Sequence, residues 1–127
     1  MKKILLAAAM VMVMNLPVNA TELPNVDLSG VPKDTCQIVK GVALTNGELL
    51  KPISEESLTE MTDKVTDYQY RVLAEYFLQS ANIKEKHHDD IDVQAMLNHR
   101  IQFKEDLMQK AMYGVEYFLE NRSCTGI

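Results

Sequence analysis

The chain has 127 residues, a formal net charge of −5 and only two cysteines. That length holds one domain. The acidic balance disfavours a nucleic-acid partner, because phosphate backbones are repelled, and two cysteines without a C-x-x-C spacing give no dithiol redox centre.

Residues 1–20, "MKKILLAAAMVMVMNLPVNA", carry Lys2 and Lys3, an apolar run over 4–14, a break at Pro17 and small residues before Ala20. This is the three-part layout of a secretory signal peptide. The apolar run is too short to span a bilayer comfortably, so no stable membrane anchor is expected. Cleavage after Ala20 removes two lysines and takes the net charge from −5 to −7. The dibasic start and alanine-rich run suit bacterial export, and point to a periplasmic or secreted mature chain. In that oxidising compartment Cys36 and Cys124 are expected to form one disulfide. A loop of that length restrains the unfolded chain by about 4–5 kcal/mol in the chain-entropy account.

The expected organisation is all-α. Residues 21–33, "TELPNVDLSGVPK", combine two prolines and a glycine with few large apolar groups, and read as an extended or mobile leader to a single helical domain over 34–127. A short helix is expected over about 35–46. Asp34 and Gln37 form a capping-box pattern, Cys36, Val39, Val42 and Ala43 keep helical spacing, and Asn46-Gly47 is a stop. The rival is a hairpin with an Asn-Gly turn, but its flanks do not alternate. Next, Ser54 as N-cap and Glu55 and Glu56 in the first turn start a long helix over about 54–82. Leu58, Met61, Val65, Tyr68, Val72 and Tyr76 form its apolar stripe.

A second long helix is expected over about 92–121. Leu97, Ile101, Met108, Met112, Val115 and Leu119 line one stripe, widened by Phe103, Leu107, Ala111 and Phe118 to about half the circumference. Folding the chain about the intervening turn pairs Leu58 with Val115, Met61 with Met112, Val65 with Met108, Val72 with Ile101 and Tyr76 with Leu97. The two helices therefore read as a small antiparallel helical hairpin, joined by the short N-terminal helix and stapled by the disulfide. Met61, Met96, Met108 and Met112 fall at core spacing, where methionine fills gaps. Arg100 and Lys104 interrupt the apolar side. Either their stems cover its edge while their heads reach water, or Arg100 pairs with Glu75.

The turn "KEKHHDDID" over 84–92 concentrates metal-binding side chains. His87, His88 and Asp90, with His99 further along, could ligate a transition ion. No H-x-x-x-H spacing sets two imidazoles on one helical face, so a polar turn with Asp90 or Asp92 as N-cap is the favoured reading. Tyr113 and Tyr117 lie one turn apart and off the main stripe, beside Glu116 and Glu120. Aromatics of this kind are favoured at protein interfaces, although the rings could also lie against the short helix or the leader. No phosphate-cradling glycine loop, G-x-S-x-G or haem-attachment spacing occurs, so neither an enzyme nor a cofactor is expected. The sequence thus points to an exported, non-catalytic helical module that binds another protein, of inhibitor, secretion-accessory or chaperone type. The alternative is a metal- or pH-responsive periplasmic binding protein using the 87–92 turn.

Overall fold

A computed structural model describes residues 23–87 and 91–127. Among them are three helices: α1 (Val31–Thr45), α2 (Glu55–Lys86) and α3 (Val93–Asn121). The fold is the expected all-α hairpin with a short N-terminal helix, and the disulfide joins Cys36 to Cys124, with Cα atoms 5.8 Å apart.

Local chemistry sets most boundaries. The Ser54 side chain accepts from the Ser57 amide at 3.1 Å, and Asp92 caps α3 by accepting from the Ala95 amide at 3.1 Å. α1 stops at Asn46, and Gly47 follows in the left-handed region at φ 69°, which a residue without Cβ adopts freely. The start of α1 differs from the expectation. Pro32 occupies the first turn, where its missing N–H costs nothing, and the helix begins three residues before Asp34. Asp34 is therefore a first-turn acid. Its carboxylate accepts from the Tyr68 hydroxyl at 2.8 Å and ties α1 to α2.

The segment before α1 is extended but not idle. Pro24 is buried and Val26 and Leu28 pack against the core. The Asn25 amide donates to Gln79 of α2 at 2.9 Å. Pro24 to Ser29 lie along α3 beside His99, Phe103 and Asp106.

α1 buries Cys36, Val39, Val42 and Ala43 against both long helices. It crosses α3 closely at Gly114. A Cβ there would overlap the Thr35 hydroxyl and the Pro32 carbonyl, so the crossing requires glycine. This contact decides which side of α3 is inside. Phe103, Leu107, Ala111, Gly114 and Phe118 are buried. The stripe expected to form the seam is not: Met108 is 62 %, Met112 58 % and Ile101 57 % exposed, and Leu97 is exposed as well. At about 100° per residue the two stripes lie roughly a quarter turn apart. On α2 the expected stripe holds better, with Met61, Val65 and Tyr76 buried, although Leu58 is exposed.

Candidate functional site

The two long helices leave an apolar groove open between them. Val39 and Ala111 are buried at its floor. Leu58, Met61 and Val65 form the α2 wall, and Met108, Met112 and Val115 the α3 wall, around a hollow of about 310 Å³. Three of the five expected side-chain pairs therefore line one cleft, but as facing walls and not as closed packing. The cleft continues toward Tyr70, Leu73 and Lys104 in a second hollow of about 140 Å³, which shares Thr66, Gln69 and Met108 with the first. Lys104 is the one charged side chain lining either hollow among the described residues. Met61 fills the core as methionine at that spacing should, whereas Met108 and Met112 do not.

Nearer the tip a third hollow of about 260 Å³ lies between the end of α2 and the start of α3. Tyr76 and Leu97, expected to pair, both line it. Arg100 is exposed, as the first of its two expected readings has it, and its guanidinium lies 5.2 Å from the centre of the Phe77 ring, an attraction between a cation and a π face; no pairing with Glu75 is seen among the described residues.

Tyr76 organises the tip half of the core. Its ring stacks on Phe103 at 4.4 Å, and its hydroxyl lies 2.9 Å from His99 Nδ1. Burial raises the Tyr76 hydroxyl above its ordinary pKa, against the neighbouring Ser80 hydroxyl and the Arg100 charge. His99 is thus engaged with Tyr76, and its other ring nitrogen is the one left to face elsewhere. His87 is the C-cap of α2. His88 and Asp90, the other two metal candidates, lie outside the described residues, as does Asp89. Among the described residues no group of three or more His, Cys, Asp and Glu is placed to hold a metal.

The tyrosine pair divides. Tyr113 is exposed, whereas Tyr117 packs against the core and donates its hydroxyl to the Thr125 carbonyl. The rings stay 6.2 Å apart, with Glu116 and Glu120 exposed beside them. Burial, reinforced by the hydrogen bond to Asp34, raises the Tyr68 hydroxyl well above the usual tyrosine range.

Two determinants carried little or no sequence signal. Arg122 adopts the left-handed conformation at φ 53°. Its Nη1 donates to the carbonyls of Glu48, Leu49 and Lys51 at 3.2, 3.1 and 2.7 Å, fastening the α1–α2 connection to the end of α3. Gly114 was visible only as a small residue among large ones.

Compared with known proteins, the chain matches no family model, and neither a curated protein nor a solved structure is similar to it.

Proposed function

We propose that this protein is an exported, non-catalytic module that binds another protein, and that it does so by receiving an amphipathic helix in the groove between α2 and α3. The carrying observation is the exposure of Leu58, Met108 and Met112 beside a floor built from the buried Val39 and Ala111. A folded monomer ordinarily scatters its exposed apolar residues, and a continuous strip marks a binding surface. From Leu58 to Leu73 the groove runs for about 22 Å at the helical rise, matching four turns of a partner helix. Methionine walls adapt to varied side chains, and Lys104 calls for an acidic residue on the partner. Helix-in-groove docking of this kind uses apolar anchors at i, i+3, i+4 and i+7. The exposed Tyr113, with Glu116 and Glu120, stands on the shoulder of α3 beyond Met112 and supplies a second contact at the groove's edge. Export rests on the amino-terminal layout, and the disulfide suits an oxidising compartment. No helix among the described residues is long and apolar enough to cross a membrane.

A photo-reactive side chain at position 108 tests this in the native host. The adduct is identified, and the partner is then purified and titrated with the mature oxidised protein. The expected partner residue lies on an amphipathic helix, with Met108→Glu weakening binding at least tenfold. Adducts only with a second copy of the chain, or an affinity indifferent to Met108→Glu, would reject the groove as the docking site.

A further inference from the structure

The groove wall carries the sulfur chemistry that the fold leaves open. Both cysteines are joined in the disulfide, so no thiol is free and the remaining sulfur is in thioethers. Of the eight methionines, Met1, Met10, Met12 and Met14 fall within residues 1–20, and the others are Met61, Met96, Met108 and Met112. Burial separates these last four. Met61 is 3 % exposed and Met96 is half-buried, whereas Met108 and Met112 each show more than half of their surface. The exposed two fall at i and i+4 on α3 and share one face. Both line the hollow floored by Val39 and Ala111. Met108 also lines the hollow beside Lys104. A thioether reacts only with an oxidant that reaches its sulfur, so this pair meets an oxidant before Met61 does.

We propose that Met108 and Met112 form a reversible oxidation site that closes the groove to an apolar helix. The inference rests on the docking role given to the groove above, and adds its regulation. The oxidant is a peroxide. The thioether sulfur attacks one peroxide oxygen, an S–O bond forms and the O–O bond breaks. The hydroxyl on sulfur passes its proton to the departing oxygen, which leaves as water. Sulfur is oxidised to the sulfoxide and the peroxide is reduced. A sulfoxide reductase reverses the step, oxidising two thiols to a disulfide and releasing the oxygen as water. The sulfoxide is a polar side chain in place of a flexible apolar one. In the open groove water satisfies its oxygen, so the fold is untouched. Under an apolar partner helix that oxygen loses its water and gains no donor, and an acceptor buried without a partner opposes docking. Oxidation therefore acts on the bound state and spares the free one. Met61 lines the same hollow but is buried. A sulfoxide there would enter the core, and its burial keeps the fold out of the reaction.

The test treats the mature, disulfide-bonded protein with limiting hydrogen peroxide and follows each methionine by peptide mass mapping. The docking probe is a fluorescent amphipathic peptide of about four helical turns, with leucines at i, i+3, i+4 and i+7 and one glutamate, titrated by anisotropy. Met108 and Met112 are expected to gain one oxygen each at least tenfold faster than Met61. The double sulfoxide should bind the peptide at least tenfold more weakly, with its circular dichroism and thermal midpoint unchanged. Methionine sulfoxide reductase should restore both mass and affinity. In Met108→Leu with Met112→Leu, peroxide should no longer alter the affinity, whatever its starting value. Oxidation of Met61 at the rate of Met108 would overturn the proposal and leave the groove reading standing. So would a double sulfoxide that binds the peptide as the untreated protein does, or a peroxide effect that persists in the double leucine variant. Untreated protein that binds no such peptide would overturn the groove reading, and this regulation with it.

Discussion

Arg122→Ala offers a direct measure of what fastens the base of the bundle. The Arg122 Nη1 faces three backbone carbonyls of the α1–α2 connection, at 3.2 Å for Glu48, 3.1 Å for Leu49 and 2.7 Å for Lys51. One nitrogen has two hydrogens, so two of these bonds carry most of the energy. Charge-assisted hydrogen bonds contribute about 1.5–3 kcal/mol each, and partial exposure here argues for the lower end. Removing the side chain should therefore destabilise the oxidised protein by about 2–3 kcal/mol. Arg122 also sits at φ 53°, a conformation that costs a residue with Cβ about 1 kcal/mol and glycine almost nothing. Arg122→Gly should consequently be more stable than Arg122→Ala by about 1 kcal/mol, although it removes one more carbon. Urea denaturation followed by circular dichroism, with the slope checked for constancy, reads both values. A loss below about 0.5 kcal/mol for Arg122→Ala, or alanine outranking glycine, would refute the reasoning about the contacts or the backbone respectively.

Gly114→Ala should cost about 1–3 kcal/mol by overpacking, since its Cβ meets the Pro32 backbone; thermal denaturation against Gly41→Ala, a helical position with open space, supplies the control. Replacing both cysteines by serine should lower stability by about 4–5 kcal/mol, given a separation of 88 residues, read by urea denaturation. Because the folded state raises the Tyr68 pKa, its contribution is complete below the ordinary tyrosine value near 10 and is lost as pH rises beyond it. Stability should thus decline above about pH 10, with a shallower slope in Tyr68→Phe, measured by alkaline titration of the urea midpoint. Met108→Gln with Met112→Gln should change stability by less than about 0.5 kcal/mol, as for exposed positions; a larger loss would make these residues core after all.

Three helix ends were legible because each rests on local chemistry, whereas the first long helix runs on to Lys86, past the expected end near 82 and into the expected turn. Ser54, Asp92 and the Asn46-Gly47 stop act within a few residues of themselves, and the structure places all three as the sequence implies. The start of α1 misled because two signals compete: Asp34 and Gln37 resemble a cap, but Pro32 fits the first turn and Asp34 is used by Tyr68. The buried face of α3 was illegible for a different reason. Its apolar arc is twice as wide as one contact needs, so periodicity cannot say which half turns inward. The choice is made by a long-range event, the crossing of α1 at Gly114. Arg122 was illegible too, since nothing local shows that a terminal arginine will bind carbonyls more than 70 residues earlier. The proposed docking groove inherits this limit, because it consists of what the crossing left uncovered.

The uncovered stripe also has an energetic meaning. Full burial of a Leu, Ile or Met side chain contributes about 1.5–3 kcal/mol. Leu97, Ile101, Met108 and Met112, each roughly half exposed, together forgo several kcal/mol that a closed seam would have supplied. A monomer of this size has little stability to forgo, and the disulfide contributes an amount of the same order. The staple therefore lets α1 and the leader cover one side of the hairpin while the other stays open. If the open side is a docking surface, filling it should make the staple less necessary. A bound helix stabilises the folded state by mass action, so the cysteine-free protein should regain part of its lost stability at saturating partner. It should regain none when Met108 is glutamate. Equal recovery in both proteins would separate the groove from the partner, and leave the exposed stripe without the role assigned to it.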